Sequence, residues 1–108
     1  MKFHVTMPEA IAKLENAAKP FTEVMRHGSM LVEYYAPKAV DKQQPHSQDE
    51  LYVIASGNGQ FVRNGEVVFF STGDVLFVPA GMEHRFQNFS EDFATWVIFY
   101  GESGGEKI

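Results

Sequence analysis

An antiparallel all-β domain with one short N-terminal helix is the fold this chain predicts, and three observations carry that prediction. From Phe21 onward, short β-branched and aromatic runs recur, with turn residues every eight to twelve positions. The turns are punctuated by His27-Gly28-Ser29, Gly57-Asn58-Gly59 and Asn64-Gly65, the last being the strongest short hairpin signal a sequence offers. No stretch supplies the alternating helices that a parallel sheet would require. Seven or eight short strands of this kind close into a sandwich or barrel.

Each element has its own local reason. Thr6-Met7-Pro8-Glu9 is a helix start: Thr6 caps the first free amides, Glu9 completes a capping box, and Pro8 is tolerated in the first turn. Ile11, Leu14, Ala17 and Ala18 continue at helical spacing to Lys19, and Pro20 ends a helix expected over about 7–19. This helix reads as a brace or lid. Strands are expected at 22–26 and 30–36, with an irregular polar loop at 37–45. ELYVIA at 50–55 is the next strand, followed by a pair at 60–63 and 66–70 across the Asn64-Gly65 turn. Strands at 75–78, 85–88 and 94–100 complete a barrel core of about 22–100, and the Gly-rich, charged tail 101–108 is expected to be flexible.

The bulk properties narrow the function classes. A chain of 108 residues makes one domain, with enough apolar content to form a core. A net charge of −5 with no basic run argues against nucleic acid. With no cysteine there are no disulfides or thiolate ligands, so a metal would need His, carboxylate or amide donors. No segment has membrane-spanning length, and MKFHVTMPEAI lacks the apolar run of a secretion signal, so the cytoplasm is the expected address.

The stretch Gly73–Asn88, GDVLFVPAGMEHRFQN, is turn, strand, turn, strand. Pro79-Ala80-Gly81 stops the strand 75–78, and His84, Phe86 and Asn88 then share one face of the next. Upstream, Gln44, His46 and Glu50 are evenly spaced, as suits one face of an extended segment broken by Pro45. If His84 faces the same interior, the chain offers imidazole, carboxylate and amide donors together. Two His and one carboxylate with open positions suit non-haem Fe(II), and equally Mn, Ni, Co or Zn. The same residues would also serve as polar groups hydrogen-bonded across a barrel mouth. Tyr52 and Ile54 lie in phase with Glu50, and Phe86 with His84, as cavity lining or as core. On strand 30–36, the Met30, Val32 and Tyr34 face is expected to line the pocket, and the Glu33 face to meet solvent or a partner subunit. Asn88 is expected to fix local backbone, and Trp96 to join the core or a dimer contact.

These two stretches resemble the two motifs of the cupin superfamily. Gly73, Pro79, Gly81, His84 and Asn88 match every position of its second motif, Gly, five residues, Pro-x-Gly, two residues, His, three residues, Asn. His46, Glu50 and Gly57 match the first motif from its second His onward, while Gln44 stands at the position of its first His and Lys38 at that of its first Gly. The resemblance implies a double-stranded β-helix, or jelly-roll, barrel holding one divalent transition metal on Gln44, His46, Glu50 and His84. It also implies a small-molecule ligand or substrate and a homodimer. Such a site fits a metal-dependent enzyme, either dioxygenase-like or an isomerase, epimerase or lyase. A non-enzymatic binder of a sugar or organic acid is the alternative. Tyr52, Phe86, Met30 and Tyr34 are the expected substrate contacts, and no general base outside the ligand set stands out.

Overall fold

The computed structural model describes residues 2–108. One helix, α1 (Met7–Glu15), precedes eight strands: β1 (Phe21–His27), β2 (Met30–Tyr35), β3 (Asp49–Ser56), β4 (Asn58–Arg63), β5 (Glu66–Ser71), β6 (Val75–Val78), β7 (His84–Gln87) and β8 (Ala94–Tyr100). They form two antiparallel sheets, a five-stranded one ordered β1-β2-β8-β3-β6 and a three-stranded one ordered β5-β4-β7. The chain thus adopts the expected all-β jelly roll. Among the described residues, no helix is long and apolar enough to cross a membrane.

Between the sheets, aromatic rings fill the core: Tyr52, Phe61, Phe70, Phe86 and Phe93 pack with Ile54, Val78, Val97 and Phe99. Phe86 sits at the centre, with ring centroids 4.6–5.3 Å from those of Tyr52, Phe61, Phe70 and Phe93. Offset and edge-on contacts of this kind add specificity to apolar burial. At Gly57 the chain passes so close to Phe93 that an added Cβ would lie 2.7 Å from the Phe93 Cα, so only glycine fits.

The helix begins as its sequence predicts. Thr6 accepts from the Glu9 amide at 3.3 Å, and Glu9 reaches back to the Thr6 amide. It is shorter than expected, stopping at the C-cap Asn16, whose side-chain amide donates to the Ala12 carbonyl. Its apolar side covers the outer face of the large sheet, where Ala10, Val5 and Leu14 pack with Tyr34, Val24, Ala94 and Trp96. Trp96 is therefore sheet-to-helix packing, edge-on to Tyr34 at 5.1 Å. The tail is tied down at several points: the Gly104 amide donates to the Ser47 carbonyl at 2.6 Å and the Glu106 amide to Asp49 at 2.8 Å.

Candidate metal centre

His84 opens β7 in the small sheet, opposite Arg63 of β4. Its placement is set by the turn before it, where the Met82 amide bonds back to the Pro79 carbonyl at 3.2 Å and Gly81 takes φ +77°. Such a left-handed residue is cheap only for glycine. The Gly81 amide then donates to the His46 carbonyl at 2.7 Å, so the turn that aims His84 also holds the backbone of His46. Glu50 comes from the other sheet, on β3, flanked by Val78 of β6 and Phe99 of β8. His46 sits in the loop before β3, with its ring edge-on to Phe99 at 4.8 Å.

These elements bring one ligand atom each from His46, Glu50 and His84 within 4.8 Å of one another. Ligands about 2.1 Å from a shared first-row ion lie a few ångströms apart, so the cluster has the right size. The donor chemistry fits as well. His84 and Glu50 are 3% and 1% exposed, and His84 Nδ1 lies 2.9 Å from the Met82 carbonyl. A carbonyl only accepts, so the proton belongs on Nδ1, and Nε2 turns its lone pair inward. There Nε2 lies 3.0 Å from Glu50 Oε1: with the ring neutral the two face each other as acceptors, and with the ring protonated they form an ion pair. Glu50 Oε2 has no partner either. Buried polar atoms left in this state cost about 1–3 kcal/mol each, which only a proton or a cation relieves. Burial works against protonating His84, but its contacts with Glu50 and the Met82 carbonyl outweigh it and raise the imidazole pKa above its ordinary value.

The sequence-based ligand set comes together in three of its four members. Gln44 is exposed, and the amide that turns inward is its neighbour Gln43. The even spacing from Glu50 does not carry through Pro45, because 41–46 is irregular backbone without strand alternation. Gln43 accepts from the Tyr52 hydroxyl at 2.7 Å and donates to Asp41 at 2.7 Å. Asp41 is the residue that sequence reasoning missed. It is 9% exposed and accepts from the Tyr35 hydroxyl, the Gln43 amide at 3.0 Å and the Phe86 amide at 2.8 Å. An acid in a polar loop carries no signal of such a role until the loop is folded against β7. Burial, with Asp41 beside it, pushes the Tyr35 hydroxyl pKa up. Burial likewise raises that of Tyr52.

A cavity of about 940 Å³ reaches this centre through His46, which lines it together with Gln43, whereas Glu50 and His84 lie buried behind and are not part of its wall. Its wall includes Phe21, Leu31, Glu33, Tyr35, Val97 and Phe99. The alternation expected on β2 is present with its faces exchanged. Leu31, Glu33 and Tyr35 face the cavity, whereas Tyr34 is buried under α1 and Met30 is absent from the lining. The physical reason is the helix, which covers the Tyr34 face with apolar contacts and leaves the Glu33 face open. Tyr52, Ile54 and Phe86 are core residues, 0–2% exposed, and form no part of the lining. Glu33 is half-buried there, and desolvation, with the charges of Glu23 and Glu50, raises its carboxyl pKa. Asn88 takes φ +49°, and its side-chain amide donates to the Gln60 side chain of β4 at 3.0 Å, a contact between side chains and not with backbone.

Comparison with known proteins agrees with this architecture. Residues 31–100 match the family described as the cupin domain. An uncharacterised protein of Streptomyces coelicolor is 37% identical over 81 residues, covering 73% of this chain and 77% of its own. Among solved structures, a cupin-2 domain protein from Shewanella frigidimarina superposes with a TM-score of 0.71 at 15% identity, covering 87% of this chain and 91% of that one. KdgF from a Halomonas species gives 0.67 at 18% identity, covering 78% and 82%. A provisionally assigned mannose-6-phosphate isomerase from Ralstonia eutropha gives 0.62 at 20%, covering 77% and 83%. With a jelly roll whose two sheets converge on His46, Glu50 and His84, and with residues 31–100, well over half of its length, matched, this chain belongs to the cupin family.

Proposed function

We propose that the protein is a metal-dependent cupin enzyme that holds one divalent transition ion on His46, Glu50 and His84 and acts on a small molecule in the adjoining cavity. The observation that carries this reading is the convergence of one ligand atom each from His46, Glu50 and His84 within 4.8 Å of one another, with Glu50 Oε2 and His84 Nε2 buried and without a hydrogen-bond partner. Fe, Mn, Ni, Co and Zn all accept two imidazoles and a carboxylate. When bound, such an ion supplies Lewis-acid polarisation of a substrate oxygen.

The remaining work falls to side chains of the cavity. Glu33, on the cavity wall with a raised pKa, is the group suited to proton transfer. It would accept a proton from a carbon beside a carbonyl, with the electron pair staying on the substrate, and return it at a second position. Return at a neighbouring atom is isomerisation, and departure of a β-substituent with its bonding pair, as the electrons left by the proton form the double bond, is elimination. The presence of this acid favours redox-neutral chemistry of that kind over dioxygenase chemistry, which needs no such group.

Titration of chelator-stripped protein with each ion tests the first half of the reading, with one ion bound per chain expected. No uptake of any ion, or uptake undiminished in His84→Ala, would overturn it. Solvent-deuterium incorporation and O2 consumption on panels of organic acids then separate the two chemistries. Metal uptake with neither activity would leave a non-enzymatic ligand-binding cupin.

The homodimer that the resemblance implies is retained as a proposal. Its support is the apolar exposure of β5 and β6, each an edge strand of its sheet, where Phe69 and Val75 are 80% and 62% exposed. Light scattering at micromolar concentration decides it: twice the chain mass is expected, and a monomer refutes the proposal.

A further inference from the structure

The charges around the cavity run against the balance of the whole chain. The protein carries −5 overall and has six lysines. Three of them, Lys19, Lys38 and Lys42, line the cavity, against two carboxyls, Glu15 and Glu33. The three are exposed, and none forms an ion pair among the described residues. Lys19 lies over the ring of Phe21 at 4.7 Å, which leaves its charge at the rim of the apolar wall. Lys38 and Lys42 flank Asp41, whose bonds to Tyr35, Gln43 and Phe86 tie this loop to the barrel. The lysine-bearing loop is therefore a built part of the mouth.

Beneath that rim, Phe21, Leu31, Val97 and Phe99 make an apolar surface. A sugar or other polyol would leave its hydroxyls unpaired against such a wall, at a cost in desolvation. A cation would meet three ammonium groups on entry. An organic anion with an apolar body meets neither penalty, and a volume of about 940 Å³ is that of a small-molecule site.

We infer that the cavity takes a small organic acid, its apolar body against Phe21, Leu31, Val97 and Phe99 and its carboxylate toward Lys38 and Lys42. This deepens the proposed function by naming the class of ligand, and it rests on that reading only in taking the cavity as the ligand site. The carboxylate is steered by charges at the mouth, and Glu33 is left facing the body of the molecule. A hydroxyl or carbonyl on that body would find the Glu33 carboxyl as its hydrogen-bond partner.

Three probes of similar size and different charge test the inference: benzoate, benzamide and benzylamine, titrated by ligand-observed NMR at low ionic strength. Benzoate is expected to bind about tenfold more tightly than benzamide, with benzylamine weakest, and added salt should erode the difference. The double variant Lys38→Gln/Lys42→Gln is expected to weaken benzoate about fivefold and leave benzamide unchanged. Both side chains are exposed, so the fold should survive, and circular dichroism checks it. Equal affinity for benzamide, tighter binding of benzylamine, no binding of any probe, or a double variant that binds benzoate normally would each overturn the assignment.

Each titration is run on chelator-stripped and on Zn(II)-loaded protein, which keeps this inference separable from the metal reading. A benzoate preference that persists in protein unable to take up metal sustains the organic-acid site while the metal reading falls. A preference that appears only with Zn(II) bound would mean that the ion, not the lysines, draws the carboxylate, and would overturn the inference.

Discussion

The segments 37–48 and 73–88 each deliver one histidine to the same point, by opposite means. In 73–88 the work is local. A glycine at φ +94° opens β6, the Pro79–Met82 turn closes it, and His84 emerges as the first residue of β7. In 37–48 there is no strand or helix, and the loop is shaped by what it touches. Asp41 bonds to Tyr35 on β2 and to the Phe86 amide on β7, Gln43 to Tyr52 on β3, and the His46 carbonyl to the Gly81 amide. A turn built from Pro and Gly carries its conformation in its own sequence, whereas a loop held by long-range hydrogen bonds carries it in its partners. The first histidine is thus positioned by the second segment, and the centre depends on both.

The largest effect expected from breaking this asymmetry is in the loop. Asp41→Ala removes the acceptor of the buried Phe86 amide and of the Tyr35 hydroxyl at once. It should cost about 3 kcal/mol of stability, read as a fall in chemical-denaturation midpoint, with metal affinity falling too. A loss within experimental error would show that the loop is held by something else. His84→Ala should separate site from fold, reducing affinity for a divalent ion at least about a hundredfold. Without metal its circular dichroism should stay that of the folded chain, although the denaturation midpoint falls, because the Met82 contact is lost and Glu50 remains buried without its neighbour.

Gly81→Ala places a side chain at φ +77° with no neighbour in its way, so the cost is conformational and about 1 kcal/mol. Because Gly81 also holds His46, the metal isotherm should weaken about tenfold. An unchanged isotherm would show that the two segments are not coupled through Gly81.

Glu33 gives a smaller, pH-dependent effect. Its folded pKa is raised, so the ionised carboxylate is disfavoured in the cavity. That penalty is absent below the unfolded value, about 4.3, and complete above the folded one. Glu33→Gln should therefore match the parent near pH 4 and exceed it at neutral pH by up to about 1 kcal/mol, discounted for solvent contact. Melting curves across pH 4–8 test this, and a constant difference would place Glu33 in water. The smallest effect is at Gln44, whose exposed position predicts that Gln44→Ala leaves divalent-ion affinity within about twofold. A tenfold loss would restore it to the ligand set.

The same contrast explains what could be read beforehand. The strands from β2 to β8 lie within about two residues of their expected limits, since turn residues and β-branched runs are local signals. The capping box at Thr6 and Glu9 was legible for the same reason. His84 was legible because a Pro-x-Gly turn fixes where the following strand starts. Gln44 and Gln43 could not be told apart, because irregular backbone has no periodicity to assign faces. On β2 periodicity grouped Leu31, Glu33 and Tyr35 correctly and was silent on which group faced inward, as helix docking on the Tyr34 side decides that.

The amino-acid sequence by itself determined an all-β chain, its turns, the second motif and the pairing of His46 with Glu50 by spacing. Only the tertiary structure decided that β3 and β7, from different sheets, bring Glu50 and His84 to 3.0 Å. It also decided that Asp41 and Gln43 organise the loop between them, and that Glu33 faces a lysine-rimmed cavity. The reason is one of range: turn geometry and alternation act over a few residues, whereas a site shared by two sheets exists only once both have packed on the same core.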